Sequence, residues 1–382
     1  MVFFSENKSP KSSKESSRSV TPDNEKTLTE KGNLSYMLKN YLFISKNGNK
    51  TPPCKDDIKF CGLENKFNNC YCNVVIQSLY SYHGFRERMM ELKKTGIGIS
   101  AELGKLYSKC VFQPDYQSTK SFLKKVCNTK DDFVLGDQQD AHEFLTYLLN
   151  VTIDEIRGAE DNGTKSKTST HSRSGHKEKQ EKRTWLNELV EGSVESETTC
   201  HECDSVTRMK EPFITLSLDI FENCDIKKCL DRYCDKELLS GKNKFFCETC
   251  NRYCDASKKI LFDVLPPILI LHLKRFKYNI KPGSSMCNMY ERLQYQVISS
   301  NEIELECSRK KRKVEYELFS VILHIGTSPD YGHYINISEL GGNWYRCDDV
   351  NIFKLTDHHL EVGDETTSGS DASYILFYRM KE

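Results

Sequence analysis

The sequence has no excess of charge of either sign and no apolar run long enough to cross a membrane. Its 382 residues include 55 Lys and Arg and 55 Asp and Glu, so the formal net charge is zero. The longest largely apolar stretch, 264–273, contains Pro266 and Pro267 and is far shorter than the roughly 20 residues of a spanning helix. A balanced charge also argues against binding nucleic acid through overall electrostatics. We therefore expect neither a nucleic acid nor a membrane as a partner.

Apolar residues are scarce as well. They make up 37% of the chain, against 29% charged residues, which is lean for a protein that folds along its whole length. Two segments have few apolar residues: 1–55 is rich in Ser, Lys, Glu and Asn, and 158–184 is rich in Ser, Thr, Lys, His and Gly. We predict that 1–55 is a flexible N-terminal tail and that 158–184 is a disordered insertion.

A signal-peptide core is also missing, since the apolar start at 1–4 is too short. The cysteines number 17, and without a secretory leader they indicate a reducing compartment. We expect a cytoplasmic and/or nuclear protein whose cysteines serve metal binding or catalysis rather than disulfide formation. The basic run 309–313 is interpreted either as a nuclear import signal or as a solvated loop.

The apolar residues that are present follow a helical period first and a strand period later. Segment 61–156 predicts mainly helices, of which the clearest follows Asp137 as its N-cap. Strands begin near Trp185: 211–220 alternates between apolar and polar residues, and 265–276 predicts a buried central strand. Helices followed by mostly antiparallel strands predict an α+β fold.

Cys70 lies where a polar, asparagine-rich loop becomes a helix. Apolar residues recur at helical spacing from Tyr71 through Val75 and Leu79. A helix N-terminus stabilises a thiolate through its free N–H groups and dipole, so Cys70 is a candidate nucleophile. Asn65 is placed to donate its amide to an oxyanion beside that sulfur.

Two other interpretations of Cys70 stay open at this point. Cys72 competes for the same role, although it lies two residues further into the helix, where N–H groups begin to be used internally. Most cysteines in a cysteine-rich chain are also simply small buried apolar side chains. A catalytic assignment therefore requires a base and an orienting partner elsewhere in the chain.

Two Cys-x-x-Cys pairs lie in the strand-rich half, Cys200 with Cys203 and Cys247 with Cys250. Four thiolates in this arrangement bind Zn²⁺ tetrahedrally and leave no open coordination position, so we predict a structural zinc site. Three further residues are alternative ligands: His201, Cys224 and Cys254. Two unrelated pairs of thiols, or a zinc-ribbon protein that binds nucleic acid, are the other interpretations of these pairs.

His333 has the sequence context expected of a catalytic base. It follows a polar turn and Gly332 and begins a predicted strand. The turn 341–343 joins this strand to the next one, which would bring Asp348 beside the imidazole and fix its orientation. A surface turn with a chance carboxylate is the plainer alternative, and His142 stays open as a second candidate base.

Five segments together resemble the signatures of the ubiquitin-specific protease family of deubiquitinases. The family's first box, Gly-Leu-x-Asn-x-Gly-Asn-Thr-Cys-Tyr-x-Asn, is similar to residues 62–73. The other four segments are similar to the family's second signature and to its palm and histidine boxes, in the family's order: 138–144, 271–276, 332–334 and 344–349. The resemblance extends over about 59–379. The cysteine layout and short length resemble in particular the small subgroup activated by WD-repeat proteins.

This resemblance implies a papain-like cysteine protease of thumb–palm–fingers architecture within a catalytic domain at 56–380. A helical thumb is expected at about 60–157, zinc-bearing β fingers at about 185–262 and an antiparallel β palm at about 263–380. The implied activity is thiol-dependent hydrolysis of the isopeptide or peptide bond after the C-terminal glycine of ubiquitin. Ubiquitin, ubiquitinated proteins and a WD-repeat activator are the implied partners.

The resemblance also implies a role for each site residue. Cys70 is the nucleophile, His333 the general base and Asp348 its orienting partner, with Asp349 as the second candidate for that third position. Asn65 and the Cys70 N–H form the oxyanion hole. Three residues are implied to contact ubiquitin, with the acidic one facing the basic tail: Gln138, Asp140 and Tyr334.

The chain departs from the family at two positions within the first box and at the position that follows it. Phe67 replaces a glycine, Asn69 replaces a threonine and Val74 replaces a serine. If position 67 requires a positive φ or a close backbone approach, a bulky side chain there strains the loop 64–69, which we call the oxyanion loop. The alternative function is therefore a weakly active ubiquitin-binding protein on the same fold.

Overall fold

Helices form the first part of the chain and strands the second, as the sequence patterns predict. The computed structural model describes residues 58–95, 98–164, 182–278, 290–308, 311–328, 331–355 and 371–381. These residues all belong to one unit, Pro53–Glu382. The predicted tail at 1–55 lies outside the described residues, and so does 165–181 of the predicted insertion. None of the described helices is both long and apolar enough to cross a membrane.

The helices come in the following order: α1 (Cys70–Ser81), α2 (His83–Leu92), α3 (Gly98–Phe112), α4 (Lys120–Cys127), α5 (Ala141–Thr164), α6 (Trp185–Val190) and α7 (Ile226–Cys234). Every residue of α1 is buried. This helix packs against α5 on one side and against strands of the large sheet on the other. A helix buried on all sides is a core element, and here it connects the helical and the β regions.

The strands come in the following order: β1 (Gly62–Leu63), β2 (Tyr116–Gln117), β3 (Gly192–Cys200), β4 (Val206–Phe213), β5 (Thr215–Leu218), β6 (Cys224–Asp225), β7 (Glu237–Leu239), β8 (Phe245–Cys247), β9 (Arg252–Cys254), β10 (Ala256–Val264), β11 (Ile268–Leu273), β12 (Phe276–Tyr278), β13 (Tyr290–Arg292), β14 (Val297–Ile298), β15 (Glu302–Cys307), β16 (Arg312–Ser328), β17 (Tyr331–Leu340), β18 (Asn343–Asp348), β19 (Asn351–Lys354) and β20 (Asp371–Met380). The α+β prediction is thus confirmed.

The largest sheet has the strand order β19-β18-β17-β16-β20-β11-β5, with β15 paired to β16. Adjacent strands in this sheet run antiparallel, except for β11 and β5, which run parallel to each other. A second, antiparallel sheet has the order β4-β3-β10-β7, and the β8–β9 hairpin lies beside its far end. These two sheets are the palm and the fingers of the predicted architecture.

Two boundaries differ from the sequence-based expectation. The clearest predicted helix begins at Ala141 rather than after Asp137, because the Asp140 carboxylate caps it by accepting the His142 and Glu143 N–H groups. The same helix continues to Thr164, beyond the position at which we expected disorder to begin. Each added residue of an existing helix gains one backbone hydrogen bond, so a polar segment can extend it without an apolar face.

Candidate active site

Cys70 is the first residue of α1 and its side chain is 4% exposed. The preceding Asn69 is the N-cap residue, because its carbonyl oxygen accepts the Cys72 and Asn73 N–H groups at 3.0 Å each. The sulfur therefore lies at the helix end where N–H groups are free and the dipole is positive. Cys72, by contrast, is completely buried in the core, and burial raises the pKa of its thiol well above the usual range.

His333 and Asp348 are brought together by a tight hairpin between β17 and β18. The turn residues Gly341 and Gly342 have φ values of +60° and +75°, the conformation that glycine adopts freely in a two-residue hairpin turn. The register pairs β17 with β18 so that His333 Nε2 lies 2.7 Å from Asp348 Oδ1. Because Nε2 of His333 is hydrogen-bonded to Asp348, Nδ1 is the ring nitrogen available to Cys70.

The electrostatics of His333 reflect these two neighbours. Its pKa is raised to about 9, chiefly by the hydrogen bond that the ring donates to the Cys70 sulfur; burial opposes the shift and the hydrogen bond with Asp348 adds to it. The imidazole is therefore held in its protonated form at neutral pH. A protonated imidazole beside a cysteine sulfur is the arrangement that activates a thiol for nucleophilic attack.

Asp349 is engaged with a different set of groups from Asp348. Its Oδ2 accepts from Asn65 Nδ2 at 2.8 Å, and its Oδ1 accepts from Asn73 Nδ2 at 2.8 Å. Its carboxylate nevertheless lies near the catalytic pair, since the potential ligand atoms of His333, Asp348 and Asp349 are all within 4.8 Å of one another. The two neighbouring carboxylates thus contact the imidazole and the oxyanion loop, respectively.

The side chain of Asn65 is held at both ends of its amide. Its Oδ1 accepts the Asn69 N–H at 2.8 Å, and its Nδ2 donates to Asp349. An amide nitrogen carries two hydrogens, so one N–H of Asn65 is left over after the bond with Asp349. The structure therefore orients Asn65 while leaving one donor for another acceptor.

Phe67 does not adopt the strained conformation that the sequence comparison raised as a concern. Among the non-glycine residues with positive φ in the described chain, the one within the oxyanion loop is Asn68, at +50°. Asparagine tolerates this region better than most residues. The Asn68 amide also donates to Gly136 O at 2.7 Å, and Lys120 Nζ lies 5.6 Å from the centre of the Phe67 ring. Phe67 thus does not have the positive φ that would strain it.

The three residues expected to contact ubiquitin lie around the same site. Gln138 Oε1 accepts the N–H of Gly332 at 3.0 Å and so joins the helical region to the strand that carries His333. Asp140 accepts a hydrogen bond from the Tyr374 hydroxyl in addition to capping α5. Tyr334 is 3% exposed and its ring packs against Tyr374. Gln138 thus contacts the residue before His333, Tyr334 is the residue after it, and Asp140 is connected with Tyr334 through Tyr374.

His142, the other candidate base, is committed elsewhere. Its Nε2 is within 2.9 Å of Thr215 Oγ1, and its ring stacks on that of His272 at a centroid distance of 3.8 Å. Burial lowers the pKa of His142, so the ring is neutral at physiological pH. The structure therefore pairs Cys70 with His333 and leaves His142 in a half-buried contact between α5 and the palm.

The four predicted metal ligands converge at the end of the fingers. The sulfur atoms of Cys200, Cys203, Cys247 and Cys250 all lie within 4.8 Å of one another, and the Cys203 and Cys247 sulfurs are 3.6 Å apart. Sulfur atoms about 2.3 Å from a tetrahedral ion are roughly 3.8 Å apart, so this set fits such an ion. The alternative ligand Cys254 packs against the cluster but does not belong to this group. The cluster can hold a metal ion.

Sequence reasoning missed the buried amide side chains that hydrogen-bond to the residues around the active site. Asn69 and Asn73 are 1% and 0% exposed, and both take part in the hydrogen bonds around Asp349 and the oxyanion loop. Gln77, one turn further along α1, donates to Cys61 O at 3.2 Å. Amide side chains within an otherwise apolar helix could have indicated these contacts. Such a helix is buried, and buried polar groups require hydrogen-bond partners.

A cysteine at the start of a buried helix, beside an imidazole bonded to a carboxylate, defines a cysteine-type hydrolase. The family model for ubiquitin carboxyl-terminal hydrolase matches residues 61–378. Ubiquitin carboxyl-terminal hydrolase 4 of Arabidopsis thaliana is 32% identical over 347 residues, which cover 84% of this chain and 93% of that protein. Ubiquitin carboxyl-terminal hydrolase 12 of Salmo salar is 31% identical over 342 residues, 85% of this chain and 90% of that protein. The chain therefore belongs to the ubiquitin carboxyl-terminal hydrolase family, and it is a cysteine-type deubiquitinase.

Solved structures show the same fold. The SAGA DUB module of Ubp8, Sgf11, Sus1 and Sgf73 bound to monoubiquitin has a TM-score of 0.70 at 22% identity, covering 91% of this chain and 75% of that chain. The Ubp8, Sgf11, Sus1 and Sgf73 module bound to ubiquitin aldehyde gives 0.71 with the same identity and coverage. The thumb–palm–fingers prediction is thus confirmed.

Proposed function

We propose that Cys70, His333 and Asp348 carry the hydrolysis of the bond after the C-terminal glycine of ubiquitin. The observation that supports this is the contact of Cys70 with an imidazole whose other nitrogen is 2.7 Å from Asp348. The thiolate attacks the glycine carbonyl carbon and forms a thioester, while the imidazolium gives its proton to the leaving amine. Water then attacks the thioester and His333 accepts the water proton. The tetrahedral intermediate expels the Cys70 thiolate, which restores the thiolate–imidazolium pair, and ubiquitin leaves with a free C-terminal carboxyl group.

Asn65 is the proposed donor to the oxyanion in both steps. The N–H that Asp349 does not use is available for the negative oxygen of the tetrahedral intermediate. Donors fixed before the reaction stabilise such a charge without reorganising, and removing one costs about 10²–10³ in rate. Asn65→Ala is therefore expected to lower kcat by about that factor, with little change in ubiquitin affinity.

The assignment of the nucleophile is tested with ubiquitin that carries a C-terminal electrophile. Wild-type and Cys72→Ala proteins should gain the mass of one ubiquitin, and Cys70→Ala should not. Cys72→Ala is the matched control because it removes a thiol two residues away that is buried in the core. Ubiquitin binding without labelling of the wild type would instead support the weakly active binding protein.

Substrate contacts are proposed for Gln138, Asp140 and Tyr334. Gln138 accepts the N–H of the residue before the catalytic histidine, Tyr334 follows that histidine, and Asp140 is connected with Tyr334 through Tyr374. Asp140 presents a carboxylate that would attract the basic residues of the ubiquitin tail. Asp140→Asn retains most of the capping hydrogen bonds, so we expect a higher KM with a small change in kcat. A loss of kcat with an unchanged KM would contradict a binding role.

The cysteine cluster is proposed to bind a structural Zn²⁺ ion. Four thiolates are a typical zinc ligand set, and when bound the ion would cross-link β3 and the β8–β9 hairpin. Metal analysis of purified protein should find about one zinc per chain, retained in Cys254→Ser and lost in Cys247→Ser. Cys254→Ser is the matched control because Cys254 is buried beside the cluster without belonging to it.

A partner protein is proposed to bind the fingers and regulate activity, a WD-repeat activator being the form suggested by the subgroup resemblance. Two exposed aromatic side chains near the cysteine cluster support a protein contact there: Phe246 is 44% exposed and Tyr253 68%. Pull-down with wild-type and Tyr253→Glu protein, followed by identification of WD-repeat proteins, tests this. Imaging of the tagged chain tests the proposed cytoplasmic and/or nuclear localisation.

A further inference from the structure

We infer that Asn69 is a positioning residue that holds the oxyanion donor Asn65 in place. This inference rests on the proposed role of Asn65. The side chain of Asn69 is 1% exposed and is saturated with hydrogen bonds. Its Oδ1 accepts the Phe67 N–H at 3.1 Å, and its Nδ2 lies within 3.1 Å of three acceptors: Glu64 O, Asn73 Oδ1 and Thr119 Oγ1.

These bonds fix the shape of the oxyanion loop from inside. One side-chain amide ties the carbonyl of Glu64 at the start of the loop to the N–H of Phe67 near its end. The loop then presents Asn65 between them, with its Oδ1 accepting the Asn69 N–H at 2.8 Å. Asn69 thus contacts Asn65 through its backbone and shapes the loop around it through its side chain.

A second path runs from Asn69 to Asn65 through the palm. Asn69 Nδ2 donates to Asn73 Oδ1 at 2.9 Å, which orients the Asn73 amide so that its Nδ2 donates to Asp349 Oδ1. The other oxygen of Asp349 accepts from Asn65. Asn69 is therefore connected with both ends of the Asn65 amide, and those connections decide which way the remaining N–H points.

The residue type at position 69 matters because the family's box has threonine there. A threonine hydroxyl donates one hydrogen, whereas the asparagine amide donates two and accepts through a separate oxygen. Threonine cannot bridge Phe67, Glu64 and Asn73 at once. In this chain the oxyanion loop has Phe67 in place of the family's glycine, and the amide of Asn69 supplies the extra bonds that hold the loop with this residue.

The test is a double-mutant cycle on Asn65 and Asn69 with steady-state kinetics on a fluorogenic ubiquitin amide. Asn69→Thr should lower kcat about tenfold or more while KM changes less than about threefold, because the defect lies in oxyanion stabilisation. In the Asn65→Ala background the same substitution should cost less than about threefold, since the donor that it positions is gone.

Two further readouts separate positioning from loss of structure. The rate at which iodoacetamide alkylates Cys70 and the binding affinity for ubiquitin should be similar in wild-type and Asn69→Thr proteins. A smaller replacement, Asn69→Ser, also has one hydroxyl in place of the amide and should lower kcat in the same direction if Asn69→Thr does not fold. If Asn69→Thr lowers kcat by the same factor in the wild-type and Asn65→Ala backgrounds, the inference is wrong.

The outcome also distinguishes this inference from the proposed function. If Asn65→Ala itself leaves kcat unchanged, the assignment of the oxyanion donor is wrong. If Asn65→Ala lowers kcat and Asn69→Thr does not, the donor assignment stands and the positioning role of Asn69 is rejected.

Discussion

Replacing Asp348 by asparagine should change the pH dependence of the enzyme in a direction that the structure determines. The imidazolium of His333 is held by the Cys70 sulfur and by the carboxylate at 2.7 Å, and the pKa of His333 is about 9. The leaving amine takes its proton from this imidazolium. Activity should therefore decline as the pH rises through about 9.

The sign of the change follows from the loss of one negative neighbour. The neutral amide introduced by Asp348→Asn would lack the charge that favours the imidazolium, so the pKa of His333 should fall and the alkaline limb of kcat/KM should move to lower pH. A hydrogen bond to a charged group contributes about 1.5–3 kcal/mol, so kcat/KM near neutral pH should fall by roughly 10–100-fold.

The same ion pair contributes to folding with the corresponding sign. A histidine whose folded pKa is raised stabilises the folded state fully below its unfolded pKa of about 6.5. That contribution is lost as the pH rises through about 9. Asp348→Asn should therefore lower the melting temperature more at pH 6 than at pH 10.

The assay is kcat/KM on a fluorogenic ubiquitin amide between pH 6 and 10, with Asp349→Asn as the matched control. Asp349 contacts Asn65 and Asn73, so its replacement should lower kcat while moving the alkaline limb less. An unchanged limb in folded Asp348→Asn would refute the reasoning. A larger shift in Asp349→Asn would make that residue the partner of His333.

Three further predictions concern other parts of the molecule. Gly332→Ala should abolish activity and lower thermal stability. A Cβ at this position, beside the catalytic histidine, would lie 2.4 Å from His324 Nε2 and 2.6 Å from Ile325 O. Turnover measures the loss of activity, and thermal unfolding followed by circular dichroism measures the loss of stability. Gln138→Ala should lower kcat by removing the acceptor for the Gly332 N–H, by about threefold to tenfold for a hydrogen bond of about 1 kcal/mol, as steady-state kinetics would show. Removing metal with a strong chelator should lower the melting temperature of the wild type but leave that of Cys247→Ser unchanged, and equal shifts in both would contradict a cysteine-bound ion.

Patterns between near neighbours in the chain located the candidate residues, and the resemblance to the family supplied their expected roles. The apolar period after Cys70 predicts a helix that starts at that residue, and α1 does start there. The two glycines of the 341–342 turn predict a hairpin that brings Asp348 to His333, and the register places them 2.7 Å apart. The Cys-x-x-Cys pairs predict a four-sulfur cluster, and those sulfurs converge. In the first two cases the deciding interactions are local or are repeated along a strand pair. In the third, the short spacing within each Cys pair identifies the ligands, and the fold brings the two pairs together.

The tertiary structure alone decided the assignments that depend on distant contacts. Asp348 and Asp349 are adjacent in sequence, and their separate tasks became clear only from the bond between Asn65 and Asp349, which are 284 positions apart. The burial of the Asn69 amide depends likewise on Thr119, which is 50 positions away. Side-chain direction at such positions is set by hydrogen-bond partners that folding brings together, and no pattern between near neighbours records those partners.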